Sequence, residues 1–200
     1  MPSMTRRSVE NKTNNNYIRN PGKLHQLIHG CIEQGIEIVA IQEHRWQTNQ
    51  QVDIYLEILD ERNIWRFDFC SATPKGQGGV GILMNSRLSK SLISTEKISE
   101  RIMVAHFAGN PVTTLIIAYA PTEDKSDSEK DKFYEDLQKC TKDIPIHNVL
   151  IILGDFNARI GKDNHLSNPK TIGPHVFHEE SNENGKRLVD FCEMANMRPV

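Results

Sequence analysis

The sequence has no Cys-x-x-Cys pair, no P-loop, no Gly-x-Ser-x-Gly and no apolar run near the ~20 residues that span a bilayer. Its first residues also lack the apolar stretch of a signal peptide, so an intracellular setting, nucleus or cytoplasm, is the expectation. Neither sign of charge dominates. Lys and Arg number 24 against 26 Asp and Glu, and a formal charge of -2 gives no global mark of a nucleic-acid binder, although a local patch would suffice. Cys31, Cys70, Cys140 and Cys192 are widely spaced within apolar-periodic segments and read as buried thiols of a reducing compartment. A mean hydropathy of -0.51 describes a polar chain that does not enter membranes. Two hundred residues suit one domain with a real core.

What the chain does have is an alternation of helix and strand signals. Leu24, Leu27, Ile28, Cys31 and Ile32 make an amphipathic helix that stops at Gly35. Ile36 to Glu43 reads as a strand ending on an acid, and Val52, Tyr55, Leu56 and Leu59 suggest a short helix. Strands are expected at Ile64–Cys70, Val80–Met84, Ile102–Phe107 and Val112–Tyr119. A polar linker at Thr122–Lys130 precedes a helix through Phe133, Leu137 and Cys140. A loop rich in Gly, Asn and Pro spans Gly161–Asn184, and Leu188, Cys192 and Ala195 mark a last helix. The pattern predicts an α/β fold with helices flanking packed sheets.

The most informative stretch is Val149-Leu150-Ile151-Ile152-Leu153-Gly154-Asp155-Phe156-Asn157. Five aliphatic residues predict a buried strand, which Gly154 should break. On an extended chain, residues two apart share a face, so Asp155 and Asn157 would project together from its C-terminal end. A carboxylate beside a carboxamide suits a hard cation and a water held for attack. A solvated turn is the plainer reading of the same residues. Glu43 ends one strand and Tyr119 another, so three strand ends could form one polar rim that holds metal and phosphate.

Two other patterns carry less. Gly76-Gln77-Gly78-Gly79-Val80-Gly81 fits a dinucleotide fingerprint in letters only, because its glycines precede a strand, and a turn into that strand is expected. His25 and His29 have the spacing of a metal pair, but no third ligand is placed by local sequence, and a solvated helix face is expected. His175 and His178 in the long loop are equally weak.

Ala40-Ile41-Gln42-Glu43-His44-Arg45-Trp46, Gly78-Gly79-Val80-Gly81-Ile82, Ala118-Tyr119-Ala120-Pro121-Thr122 and Gly154-Asp155-Phe156-Asn157-Ala158-Arg159-Ile160-Gly161 occur in a telling order. In order and spacing they resemble the endonuclease/exonuclease/phosphatase (DNase-I-like) family. The resemblance covers Pro21 to Val200 and is closest to LINE-type retrotransposon endonuclease domains and craniofacial development protein 2-like proteins. It implies a four-layer sandwich of two packed mixed β-sheets flanked by helices. It also implies hydrolysis of phosphodiesters with Mg²⁺ or Mn²⁺, with DNA as the substrate to be nicked. By the same resemblance, Glu43 corresponds to the metal-binding glutamate and Tyr119 to the tyrosine that contacts the scissile phosphate. Asp155 corresponds to the aspartate that orients or deprotonates the attacking water, and Asn157 to its partner on the phosphate oxygens.

The departures lie at the ends. The family opens with a core strand carrying an asparagine near the metal, whereas Asn11 to Asn20 holds only Tyr17 and Ile18 as apolar residues. Residues 1–20 are therefore expected to be polar and disordered, with residues 21–200 forming an incomplete domain. The family's closing Ser-Asp-His signature is not reached before Arg198-Pro199-Val200. The expectation is a nuclease of weak or lost activity. The alternatives are a non-catalytic relic of a retroelement reading frame, with or without nucleic-acid binding, and a hydrolase of small phosphoesters. Ile160-Gly161 after the Gly-Asp-Phe-Asn-Ala-Arg run, with Pro21-Gly22-Lys23-Leu24, favours the retroelement branch over the last of these.

Overall fold

Alternation along the strands sorts the apolar side chains into three separate cores, and these three cores define four layers. The computed structural model describes residues 21–59 and 63–200, so the expectations for residues 1–20 fall outside the described residues. Helix α1 (Pro21–Gln34) leads into strands β1 (Ile38–Gln42), β2 (Asp53–Ile58), β3 (Ile64–Phe69) and β4 (Val80–Asn85). These form one antiparallel sheet in the order β1-β4-β3-β2. The short helix α2 (Ser86–Ser89) connects to β5 (Leu92–Lys97), β6 (Ile102–Phe107) and β7 (Thr113–Tyr119). Helix α3 (Asp127–Lys142) then crosses to β8 (Val149–Asp155), and α4 (Lys162–Ser167) and α5 (Glu183–Met194) follow. The second sheet runs β5-β6-β7-β8 and is mixed, because β7 and β8 are parallel.

Ile102 and Val104 of β6 face one way, with Ile116 and Ala118 of β7, and meet Phe133, Leu137, Leu188 and Phe191 of α3 and α5. Met103, Ala105, Leu115 and Ile117 face the other way and meet Val80, Ile82 and Met84 across the sheet interface. On the far side of the first sheet, Leu24, Ile28 and Cys31 of α1 bury against Trp65, Phe67 and Leu83. The order is thus helix, sheet, sheet, helices, which is the expected four-layer sandwich. All four cysteines are free thiols.

Several local expectations change. Val52 to Leu59 contains a strand instead of a helix. Tyr55 packs inward against the aromatic core while Ile54 and Leu56 of this edge strand face solvent. Apolar residues on both faces of a strand imitate helical spacing. The 149–153 strand is not buried either. Leu150 and Ile152 pack toward the helices, but Val149 and Ile151 on its other face keep 40% and 41% of their surface, and among the described residues β8 is the sheet margin. The strand also runs through Gly154 to Asp155 instead of breaking there. Helix α3 begins inside the expected 122–130 linker, where Ser126 caps it by accepting the Glu129 N–H at 3.3 Å. The 161–184 loop contains α4, and β5, polar and at an edge, was not anticipated.

The glycine run is a turn into β4, as its position required. Gly78 and Gly79 have φ of 72° and 89°. A β carbon at Gly79 would lie 2.6 Å from the His44 ring. His44 fills that space, edge-on to Phe69 at 5.3 Å, Phe67 at 5.7 Å and Trp46 at 6.1 Å. Its Nδ1 accepts the Trp46 N–H at 2.9 Å, so the ring proton sits on Nε2, which points to the Val80 carbonyl at 3.4 Å. The ring is a neutral plug for the loop after β1.

Burial pushes the His44 pKa down to about 4, against a partial upward pull from the Val80 and Cys70 backbone. Below its ordinary value of 6.5 the unfolded chain takes up a proton that the folded chain refuses. Stability from this group is therefore complete above that value and is lost as pH falls toward the folded pKa. The loss amounts to about 3 kcal/mol. Urea denaturation between about pH 7 and pH 4 should show a steeper loss for the native chain than for His44→Gln. Parallel stability curves would contradict a neutral buried ring.

Candidate active site

The site begins with a close approach of two parallel strands. Ala118 pairs with Gly154 and Tyr119 with Asp155 in the β7–β8 register. A β carbon on residue 154 would overlap the Ala118 carbonyl oxygen, so only glycine permits this pairing. Tyr119 and Asp155 therefore leave their strands side by side. Across the sandwich, β1 packs over β7 and β8 and delivers Glu43 from its C-terminal end. Glu43 has φ of 52° and Arg45 of 62°, a tight left-handed course fixed by N–H donation from His44 to Gly79 O and from Arg45 to Gly78 O.

Tyr119 senses both acids. The Tyr119 pKa is raised, first by burial, then by the charge and hydrogen bonding of the Glu43 carboxylate. The Asp155 charge adds a smaller upward push, and Arg101 opposes it. The Arg101 guanidinium lies 5.5 Å from the centre of the Tyr119 ring and donates to the Tyr119 carbonyl at 3.4 Å. Glu43 accepts from Arg45 Nη2 at 2.6 Å, and the side chains of Glu43 and Arg45 are both well exposed.

Asn157 reaches the same rim by a different route from the one expected. It does not share an extended face with Asp155, because its φ of 47° turns the chain back. Its N–H donates to Asp155 Oδ1 at 2.9 Å, and its Nδ2 donates to the Ala120 carbonyl at 2.9 Å. The carboxamide thus ties the loop after β8 to the loop after β7.

Two residues unmarked in the sequence reading hold this turn. Asn182 caps α5, accepting N–H from Gly185 at 2.7 Å and Arg159 at 2.8 Å, and its Nδ2 donates to the Asn157 carbonyl at 3.0 Å. Asn184, fully buried, donates to Pro121 O at 2.8 Å and Asn157 O at 3.4 Å. Asn182 was detectable as a cap before the Leu188–Cys192 stripe. Arg101, a lone basic residue before a strand, left no signal. His175 and His178 make no side-chain hydrogen bond to the rim residues; the His178 carbonyl instead accepts the Lys162 N–H at 3.0 Å.

The donor set suits a hard divalent cation. Glu43 and Asp155 are exposed carboxylates facing one phenol, and Mg²⁺ is commonly held by one or two carboxylates with several waters retained. Among the described residues no cluster of three or more metal-ligating side chains occurs, so water would complete the shell.

Removing the Asn182 side chain should cost about 2 kcal/mol, at the upper end for a helix cap, because the turn at Asn157 loses its support as well. Urea unfolding of Asn182→Ala tests this, with Asn182→Asp retaining most of the stability through its acceptors. A loss below about 0.5 kcal/mol in the alanine variant would show that the cap does not carry the turn.

Comparison with known proteins agrees with this architecture. The sequence pattern of the Endonuclease/Exonuclease/phosphatase family matches residues 11–178. Craniofacial development protein 2 of Tragulus javanicus is 30% identical over 174 residues, covering 86% of this chain and 28% of that protein. The protein of the same name from Bos taurus is 30% identical over 174 residues, 86% of this chain and 27% of its own length. The chain thus spans little more than a quarter of these relatives. It belongs to the endonuclease/exonuclease/phosphatase family.

Proposed function

We propose that this chain is a divalent-metal-dependent phosphodiester hydrolase of the retrotransposon endonuclease type that nicks DNA. The observation that carries the reading is the pairing of Tyr119 with Asp155 across β7 and β8, with the Glu43 carboxylate hydrogen-bonded to the Tyr119 phenol and Arg101 5.5 Å from its ring. Glu43 and Asp155 would hold Mg²⁺ or Mn²⁺, which when bound neutralises charge on the phosphate and its transition state. Asp155 accepts a proton from water as the water oxygen bonds to phosphorus and the ester P–O bond breaks. The departing oxygen takes its proton from solvent. The Asn157 N–H keeps the Asp155 carboxylate oriented during this transfer. Tyr119, with its pKa raised, stays protonated at neutral pH and donates its O–H to a phosphate oxygen. Arg101 adds positive charge at the same place.

A second reading, a non-catalytic relic, draws support from the ion pair that occupies Glu43 Oε1. It also draws on the absence, among the described residues, of any hydrogen bond from a histidine to Glu43, Tyr119, Asp155 or Asn157. Nicking of supercoiled plasmid separates the two. Mg²⁺-dependent nicking by the native chain should fall by on the order of 10²–10⁴ in Asp155→Ala, the usual contribution of a general base. A folded native chain that nicks no faster than Asp155→Ala favours the relic.

A further inference from the structure

His25 and His29 are one turn apart on α1, and their rings meet edge to face with centroids 4.6 Å apart. Their Nε2 atoms are 3.0 Å apart. The other nitrogen of His25, Nδ1, lies 3.1 Å from Oε1 of Glu57 on β2. That carboxylate is itself held, since its Oε2 accepts the Tyr55 hydroxyl at 2.7 Å. These contacts form on a helix face that stays partly solvated, as the sequence led one to expect.

The chemistry of the contacts fixes the proton. An ionised carboxylate only accepts, so the His25 hydrogen resides on Nδ1 and its Nε2 presents a lone pair toward His29. A carboxylate on one ring nitrogen is how metal-binding histidines are commonly oriented and made more basic. Two imidazole nitrogens on a tetrahedral ion at 2.0–2.1 Å stand about 3.3 Å apart. The separation here is shorter by a few tenths of an ångström, which a small rotation of the exposed His29 ring supplies. His25 is reachable, with 42% of its side chain exposed.

We propose that His25 and His29, with Glu57 as the orienting carboxylate, form a surface site for a borderline transition-metal ion of the Zn²⁺ class. Nitrogen donors select Zn²⁺, Cu²⁺ or Ni²⁺ over Mg²⁺, and water fills the remaining positions. The site is separate from the acidic rim. Glu57 pairs with Trp65, which pairs with Asn85, at the end of the first sheet opposite to the Gln42–Val80 pair that precedes Glu43. An ion there would join α1 through its two ligands to the edge strand β2 through Glu57. The proposal is independent of nuclease activity.

Calorimetric titration of the metal-stripped full chain with ZnCl₂ tests it. Saturable Zn²⁺ binding is expected, at least 10-fold weaker in His25→Ala and in His29→Ala and 10- to 100-fold weaker in Glu57→Gln. Excess Mg²⁺ should leave it unchanged. In the unsubstituted protein, imidazole ¹⁵N shifts should show Zn²⁺ on Nε2 of both rings, a result that does not depend on how the variants fold. Zn²⁺ affinity that survives both histidine substitutions, or that Mg²⁺ abolishes, would place the ion elsewhere and overturn the proposal. So would the absence of saturation at millimolar Zn²⁺, which would leave only a hydrogen-bonded histidine pair.

Discussion

The contact of Gly154 with the Ala118 carbonyl is the constraint on which the rest of the rim depends. Any side chain at 154 would push β8 away from β7 or shift its register. A one-residue slip would turn every side chain of β8 to the opposite face. Leu150 and Ile152 would leave the helices, and Asp155 would no longer stand beside Tyr119. The parallel pairing also dictates α3, because parallel neighbours need a long crossover, and α3 is packed with α5 over the second sheet. One missing β carbon thus joins core packing to the position of two polar groups.

Around that pairing the loops that carry the acids are held by neutral groups, while Glu43 itself pairs with the Arg45 guanidinium. His44 plugs the loop beneath Glu43 as an uncharged ring among aromatics. Asn157, Asn182 and Asn184 stitch the loops after β7 and β8 to the start of α5 through carboxamides. Among the described residues the buried Oδ1 of Asn184 has no partner, a cost of about 1–3 kcal/mol that the donations of its Nδ2 offset.

Much of this was legible because strands and helices leave different periods. Ile102–Phe107 was read with its observed bounds, since alternate residues feed two different cores. Tyr119 as a strand end followed from where its apolar run stops, whereas β1 ends at Gln42, one residue before Glu43, and β8 runs two residues past its apolar run to Asp155. Edge strands were harder to read. Asp53–Ile58 carries apolar residues on both faces, and Leu92–Lys97 carries few, so neither shows a clean period. Asn157 was assigned to the rim for an incorrect geometric reason, because nothing local announces a left-handed turn at an asparagine. Arg101 and the Glu57 partner of His25 were invisible for a common cause. Their partners are distant in sequence, and only the packed sheets bring them together.

The central claim is that the ends of β1, β7 and β8 present Glu43 and Asp155 to one hydrated cation. Paramagnetic broadening of backbone amides by substoichiometric Mn²⁺ measures this directly and requires no turnover. Mn²⁺ favours oxygen donors and binds imidazole poorly, so the histidine pair on α1 will not intercept it. The account predicts simultaneous loss of signal at residues 43–45, 119–120 and 155–158, with residues 25–29 unaffected. Broadening around Glu43 that leaves residues 155–158 sharp, or broadening centred away from both, would contradict a shared site.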